Sequence, residues 1–241
     1  MSDNAVQIQI EEKQSDSSFI ERIWRGQTDA PGEFISIATS HWELVIWQEN
    51  GVSHIAIRGP ETGATAVPVP ANSLSFGVIF KLGVVMPHLP VRQLVDNHID
   101  LPPAASNSFW LHSSAWQLPT YDNVDVFVNR LIREDVLVHE PVVQSILAGS
   151  PEDVSTRTVQ RRFLQATGIT YNVVYQIERA RQATLLLKSG LSILDTVEQA
   201  GYYDQPHLTR SLKRYIGQTP GQIQDINEAR PLSFLYKTSY L

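Results

Sequence analysis

Cysteine is absent from all 241 residues of the chain. Its absence excludes disulfide bonds, thiolate metal sites and cysteine nucleophiles, including those that accept alkyl groups. No run of 18 apolar residues occurs, so we expect no membrane span. The first 18 residues are polar and acidic without the apolar centre of a secretory signal. We expect a flexible acidic tail there and a cytoplasmic protein.

Signals for enzymatic or metal chemistry are also scarce. The seven histidines show neither HxH nor HExxH spacing, so a cupin-type metal site lacks its usual anchor. The stretch GPETGATA contains two glycines but no Gly-Lys-Ser or Gly-Lys-Thr, which argues against a phosphate-binding loop. We therefore predict no catalytic residue, no cofactor and no metal.

Charge is distributed unevenly along the chain. Residues 1–150 hold eight Lys or Arg and 17 Asp or Glu, a net charge of −9. Residues 151–241 hold 11 Lys or Arg and eight Asp or Glu, a net charge of +3. An acidic part joined to a basic part indicates a nucleic-acid contact confined to one domain, although two ordinary surfaces would give the same pattern.

Short apolar runs separated by Pro and Gly indicate that the first half of the chain is rich in β-strands. Runs at 34–38, 65–69 and 74–82 are of strand length. Asn50-Gly51 lies between two further runs and predicts a tight hairpin, since Asn-Gly readily adopts positive φ. We predict a small antiparallel barrel or sandwich over residues 19–120. Four tryptophans of this half are either core residues or the lining of a small-molecule pocket: Trp42, Trp47, Trp110 and Trp116.

Helical periodicity begins near residue 121, after a short helix predicted around 91–95. Asp122 is a candidate N-cap. An apolar stripe then docks either on the β domain or on a second copy: Val124, Phe127, Val128, Leu131 and Ile132. Further helices are predicted at 140–147, 155–167, 170–190, 192–200, 204–216 and 219–226.

Two segments of this helical half repeat without a gap. Residues 155–171 align with 204–220, and the N-capping residues Ser155 and Asp204 coincide. The other matched pairs are Val159 with Leu208, Arg161 with Arg210, Phe163 with Leu212, Gly168 with Gly217 and Thr170 with Thr219. Two copies of one capped, Gly-terminated cationic helix indicate two copies of one supersecondary unit.

The repeated unit has helix-turn-helix proportions. In the second copy, 192–200 forms a first helix, Gly201-Tyr202-Tyr203 the turn, and a second helix follows from Asp204. This second helix buries one side and exposes a basic one, and a single α-helix fits the major groove of DNA. Two such helices joined by a connecting helix would enter successive major grooves, about 34 Å apart.

The stretch SILDTVEQAGYYDQPHLTRSLKRYIGQTPGQI resembles the signature of the AraC-type transcriptional regulators. It contains the helix ending in a Gly-aromatic turn, the Leu-Thr-Arg of the recognition helix and the Gly-x-Thr-Pro before the last helix. STRTVQRRFLQATG is similar to the recognition helix of that family's first helix-turn-helix. The resemblance covers about residues 140–227. It implies an α+β protein with a β-rich, cupin-like sensor or dimerisation domain and an all-α domain of two helix-turn-helix modules joined by a long helix.

The predicted domain boundaries follow from the residue patterns and from the family resemblance. We predict a tail at 1–18, the β domain at 19–120, a helical linker at 121–149, the DNA-binding domain at 150–228 and a C-terminal tail at 229–241. One departure concerns the first module, because only GSPEDV precedes Ser155. Either 142–147 supplies the missing helix, or the module is degenerate.

Carried over by position, the resemblance implies roles for eight side chains. The base-reading candidates are Arg157, Gln160, Arg161, Gln205, Thr209 and Arg210. Lys213 and Arg214 are candidates for phosphate binding. The implied partner is double-stranded operator DNA, and RNA polymerase, a small effector and a second copy of the chain are further candidate partners. Two alternatives stay open: a module that binds an acidic protein through the basic helices, and an enzyme with a site in the β domain.

Overall fold

The structure, a computed structural model, describes residues 8–49, 51–147, 149, 155–225 and 232–233. The described chain forms two compact units that interleave in sequence. The first, which we call the sheet unit, takes its residues from 1–31, 41–60 and 70–170. The second, the helical unit, takes its residues from 32–40, 61–69 and 171–241. The predicted C-terminal tail lies outside the described residues except for Leu232 and Ser233.

Short strands make up most of the first half, as the apolar runs predict. In chain order the described strands are β1 (Ile8–Lys13), β2 (Ile20–Thr28), β3 (Gly32–Ser36), β4 (Glu43–Glu49), β5 (Val52–Arg58), β6 (Thr65–Val69), β7 (Ser73–Phe80), β8 (Val84–Val85), β9 (His98–Asp100), β10 (Pro103–Ala104), β11 (Ser108–Leu111), β12 (Ser114–Gln117) and β13 (Val138–His139). The three predicted runs correspond to β3, β6 and β7, and β6 has the predicted bounds.

Helices follow in the predicted order. They are a 3₁₀ helix at Val91–Leu94, then α1 (Val124–Arg133), α2 (Pro141–Leu147), α3 (Thr156–Thr167), α4 (Tyr171–Lys188), α5 (Ile193–Gln199), α6 (Gln205–Tyr215) and α7 (Pro220–Gln224). In the described ranges, every helix is too short or too polar to cross a bilayer.

The sheet unit is a sandwich built on one large sheet. Six antiparallel strands lie in the order β1-β2-β7-β4-β5-β9, and β10-β11-β12 form a second, three-stranded sheet. The large sheet is open, because β1 and β9 lie at its two edges. The sandwich is therefore the predicted alternative that is confirmed, and the closed barrel is not formed.

One apolar core joins the two sheets and α1. Ile23 and Leu44 of the large sheet and Phe109 of the small sheet are completely buried within it. The predicted stripe of α1 lies in or against the same core: Val124, Phe127, Val128, Leu131 and Ile132. Burial of one such side chain is worth about 1.5–3 kcal/mol, so the stripe fixes α1 on the sheets. Of the two predicted partners for this stripe, the β domain is the one found.

The predicted hairpin joins β4 to β5. Glu49 pairs with Val52, which leaves a two-residue turn between the strands. Gly51 has a φ of +78°, a conformation that glycine adopts without the strain a Cβ would cause. Asn50 lies outside the described residues.

Two local predictions were wrong. Residues 8–13 belong to the predicted flexible tail but form β1, which pairs with β2 along its whole length. Asp122 does not cap α1: the N-cap is Asn123, whose side chain accepts a hydrogen bond from Thr120 N (2.8 Å) instead of from the helix. In both cases a contact from outside the segment decides the local structure.

The backbone of Gly59 approaches the 3₁₀ helix closely. A Cβ at this position would lie 2.0 Å from Leu94 O, whereas a Cβ at Gly26 would meet no atom nearer than 3.7 Å. We expect Gly59→Ala to lower the free energy of unfolding by about 1–3 kcal/mol, since the backbone must shift to admit the methyl group. Urea denaturation followed by tryptophan fluorescence measures the change. Gly26→Ala is the matched control, and an equal loss in both variants would contradict the steric explanation.

Candidate nucleic-acid interface

The second predicted helix-turn-helix is present in the helical unit as α5 and α6. Ser192 caps α5 by accepting a hydrogen bond from Asp195 N (3.1 Å), and Asp204 caps α6 by accepting one from His207 N (2.7 Å). Between the helices, Gly201 has a φ of +68° and reverses the chain. The caps and the glycine therefore set where each helix begins and ends.

A buried tyrosine holds the turn in place. The hydroxyl of Tyr202 lies 2.9 Å from Ser211 Oγ of α6, and the guanidinium of Arg179 lies 4.2 Å from the centre of the Tyr202 ring. Arg179 also donates a hydrogen bond to Gly201 O (3.3 Å). Burial raises the pKa of the Tyr202 hydroxyl above its usual value, so the group stays neutral. These contacts tie the turn to both α4 and α6.

The two faces of α6 match the prediction. The apolar face is buried and consists of Leu208, Leu212, Tyr215 and Ile216. On the other side the exposed residues are Gln205, Pro206, Arg210, Lys213 and Arg214, with Thr209 half-buried at the edge. Pro206 lies in the first turn, where a missing N–H breaks no helical hydrogen bond. All five predicted DNA-contacting residues of α6 are therefore accessible to some degree.

The first recognition helix, α3, lies in the sheet unit. Ser155 caps it by accepting a hydrogen bond from Thr158 N (3.3 Å), and Gly168 ends it with a φ of +76°. Phe163 and Ala166 are buried. The predicted site residues of this helix are all exposed: Arg157, Gln160 and Arg161.

The helix that precedes α3 is α2. The two helices contact each other, as the predicted alternative in which 142–147 supplies the first helix of the module requires. Most of GSPEDV lies outside the described residues. A Cβ at Gly168 would lie 2.7 Å from Val95 Cγ2, so the end of α3 also packs closely beside the 3₁₀ helix. The first module is therefore anchored on the sheet unit.

Both predicted recognition helices carry positively charged side chains that no acidic residue of the same helix balances. Neither α3 nor α6 contains an Asp or Glu. Five of their cations form no salt bridge with any carboxylate of the described residues: Arg157, Arg161, Arg210, Lys213 and Arg214. Such cations are suited to an anionic partner.

The C-terminal end of α6 is capped by residues from the first half of the sequence. β3 and β6 pair as an antiparallel ribbon within the helical unit; we use "ribbon" for residues 32–40 and 61–69 together. Ala38 N donates to Tyr215 O (2.8 Å), and Ala64 N donates to Arg214 O (2.8 Å). The last carbonyls of a helix have no intrahelical donor, so the ribbon satisfies two of them.

Two charged residues of α4 form hydrogen bonds with the ribbon. Arg181 is 3% exposed and donates a hydrogen bond to Ala38 O (2.7 Å). Glu178, also 3% exposed, accepts one from Ser40 Oγ (3.1 Å). Buried Arg and Glu require such partners, because their desolvation is otherwise costly. Glu178 and Arg181 were missed by the sequence analysis, although the run ERAR inside an apolar helix was an available signal.

Two exposed apolar or aromatic side chains of the helix-turn-helix were also missed. Tyr203 is 91% exposed in the turn, directly before the cap of α6, and Leu194 is 71% exposed on α5. The signal for Tyr203 was the pair of tyrosines after Gly201, of which the structure buries only Tyr202.

No group of three or more His, Cys, Asp or Glu side chains suited to a metal ion occurs among the described residues. His88 and His112 stack with ring centroids 3.8 Å apart. Burial lowers the pKa of His88, and His112 contributes in the same direction. This pair has no further His, Asp or Glu ligand within the described ranges to complete a metal site.

A family model for a helix-turn-helix domain matches residues 152–225, from just before α3 to the end of α7. This segment is an AraC-type helix-turn-helix domain. It contains the second predicted module, the predicted recognition helix of the first module and all eight predicted DNA-contacting residues, whereas α2 lies before it. The AraC-type domain therefore draws α3 from the sheet unit and the remaining helices from the helical unit.

Individual proteins resemble the chain to different extents. Over 87 residues it is 36% identical to the HTH-type transcriptional regulator RipA of Corynebacterium glutamicum, covering 35% of this chain but only 26% of RipA. One structure of ToxT from Vibrio cholerae covers 92% of this chain and 98% of ToxT, with 10% identity and a TM-score of 0.35. A second ToxT structure covers 91% and 97%, with 10% identity and a TM-score of 0.37.

The bond from Arg181 to Ala38 O is the clearest test of how the ribbon is held. We expect Arg181→Met to lower the free energy of unfolding by about 1–3 kcal/mol, because Ala38 O loses a charged donor in a buried place. Lys188→Met is the control, since Lys188 is an exposed cation of the same helix. Urea denaturation measures both, and an Arg181→Met variant as stable as Lys188→Met would show that the bond contributes nothing.

Proposed function

We propose that this chain is a sequence-specific DNA-binding transcriptional regulator. The observation that carries the proposal is the exposed, carboxylate-free basic face of α6, presented by a helix that is capped at both ends. It is supported by the AraC-type domain at residues 152–225 and by the similarity to the regulator RipA, which is 36% identical over 87 residues. A regulator of this kind is normally not an enzyme.

Within α6 the proposed role of each side chain follows from its position along the helix. Gln205, Thr209 and Arg210 lie toward the N-terminal part and read base edges in the major groove, where Arg pairs with guanine through two hydrogen bonds. Lys213 and Arg214 lie in the last turn and bind phosphates. The exposed hydroxyl of Tyr203 adds a donor for a backbone phosphate beside the helix N-terminus.

The same roles extend to α3, where Arg157, Gln160 and Arg161 read a second site. If both helices bind, operator DNA carries two half-sites about one helical turn apart. Hydroxyl-radical footprinting on the operator would show two protected regions with that spacing. A single protected region would restrict base reading to α6.

Regulation is assigned to the sheet unit. We propose that it binds a small effector or pairs two copies of the chain, that the regulator acts in the cytoplasm, and that RNA polymerase is a further partner. Residues 150–228 remain the proposed DNA-binding region. The ribbon extends this region, because α6 is capped by residues 38 and 64.

Selection from a random DNA pool tests the proposal. We expect the full chain to enrich one consensus, and to bind it about a thousandfold or more tighter than unrelated duplexes at physiological salt. Binding that falls with salt but shows no sequence preference would favour the alternative of an acidic protein partner, since such a helix then acts only through charge.

Arg210→Ala tests base reading. We expect it to weaken binding to the selected operator by about 1–3 kcal/mol and to relax preference at one position, because a two-pronged contact to guanine is lost. Gel-shift titration against operator and substituted operators measures this. Lys188→Ala is the matched control, as an exposed cation outside α6. Unchanged operator affinity in Arg210→Ala would remove the assigned role.

Lys213→Ala tests phosphate binding. We expect weaker binding to operator and unrelated DNA alike, and a slope of log affinity against log salt that is smaller by about one unit, because one phosphate contact is lost. Titrations between 50 and 200 mM salt, about the range in which such contacts are resolved, supply the slope. A loss that depends on sequence would instead place Lys213 at a base edge.

A further inference from the structure

The last two described residues of the chain lie beside the ribbon. Leu232 pairs with Ile35 of β3 in a parallel bridge. Ser233 N donates a hydrogen bond to Ile35 O (2.7 Å), and Ile37 N donates one to Ser233 Oγ (2.9 Å). Since β3 pairs with β6 along its other edge, residues 232–233 cover the edge that β6 leaves open. All of these residues belong to the helical unit.

The backbone groups that bind residues 232–233 belong to buried residues. Ile35 is 5% exposed and Ile37 is 2% exposed, and Leu232 and Ser233 are themselves half-buried. A buried backbone N–H without an acceptor lowers stability. Ser233 Oγ therefore supplies at Ile37 the acceptor that a further strand would otherwise provide.

The same stretch of the ribbon contacts the C-terminal end of α6. Ala38, which directly follows Ile37, donates the hydrogen bond to Tyr215 O (2.8 Å). Ile35 packs against the turn after the helix, because a Cβ at Gly217 would lie 3.0 Å from Ile35 Cγ2. Residues 35–38 are therefore bound by the C-terminal segment and also bind the end of α6.

We propose that Leu232 and Ser233, which we call the strap, are positioning residues for operator binding. The strap fixes β3, β3 fixes the last turn of α6, and that turn carries Lys213 and Arg214. A turn that opens in the free protein must be ordered on DNA, and the cost of ordering lowers the affinity. The strap lies beyond the AraC-type domain at residues 152–225. Its effect on DNA affinity rests on the proposed function, whereas its hold on β3 does not.

Hydrogen exchange followed by NMR tests the hold on β3 without DNA. In the full chain, we expect Ser233→Ala to speed exchange at the Ile37 and Ala38 amides by about two- to tenfold, the worth of one hydrogen bond. Ser233→Thr keeps the accepting hydroxyl and should restore wild-type exchange. Ser189→Ala is the matched control, because the exposed Ser189 hydroxyl donates to Leu186 O (2.7 Å) in the same unit.

Titration with the selected operator tests the positioning role. We expect Ser233→Ala to weaken binding to operator and unrelated duplexes alike by about two- to tenfold, since the affected cations are proposed to bind phosphates. The fraction of protein competent to bind DNA, measured by stoichiometric titration, should stay at the wild-type value. A smaller competent fraction with unchanged affinity would show that the strap only stabilises the fold, and would overturn the positioning role.

Two truncated chains locate the effect. A chain ending at Ser233 keeps the strap, and a chain ending at Pro231 lacks it. We expect the second chain to exchange faster at Ala38 and to bind operator more weakly than the first, by at least the factor found for Ser233→Ala. Equal exchange and equal affinity in the two chains would overturn the proposal.

The two readouts separate failure of the strap from failure of the proposed function. Wild-type exchange at Ala38 in a Ser233→Ala variant that circular dichroism shows to be folded would remove the strap. A chain that shows the exchange effect but selects no operator would retain the hold on β3 and lose the proposed function. A selected operator whose affinity is unchanged by Ser233→Ala would retain the proposed function and remove the positioning role.

Discussion

Two backbone hydrogen bonds close the C-terminal end of α6 and tie the helix with the basic face to the β-rich half of the sequence. They join Arg214 O and Tyr215 O, the last carbonyls of the predicted recognition helix, to Ala64 and Ala38, which are 150 and 177 residues away in sequence. A left-handed glycine, around which the following backbone N–H groups bond the last carbonyls, is the common solution at a helix C-terminus. Here the donors come from a ribbon that is itself held by Arg181. The helix that presents the basic face therefore depends on chain from the β-rich half for its stability.

The helical elements could be predicted closely because their signals are local. Ser155, Asp204 and Thr219 each cap the helix that follows, and Gly168 and Gly217 each take positive φ after one, as the repeat implies. The apolar periodicity of α1 and α6 identified the buried faces. In these segments the side chain that decides the structure lies within four residues of the backbone that it affects.

What could not be predicted depends on contacts between distant residues. β1 forms because residues 8–13 pair with β2, and nothing in their polar composition indicates that partner. β3 and β6 were recognised as strands, but their place in the helical unit follows from tertiary packing. The burial of Tyr202 and the exposure of Tyr203 likewise depend on the contacts of Tyr202 with Ser211 and Arg179. The sequence shows two adjacent tyrosines but does not show which one is buried. Roles at the DNA stay predictions for all eight side chains.

The ribbon is also joined to the large sheet through short chain segments. β2 ends at Thr28 and β3 begins at Gly32, while β6 ends at Val69 and β7 begins at Ser73, so three residues separate each ribbon strand from a strand of the large sheet. The segments whose amides cap α6 are therefore continuous in sequence with strands of the large sheet. Loss of those caps costs the helix stability at its last turn, where Lys213 and Arg214 lie.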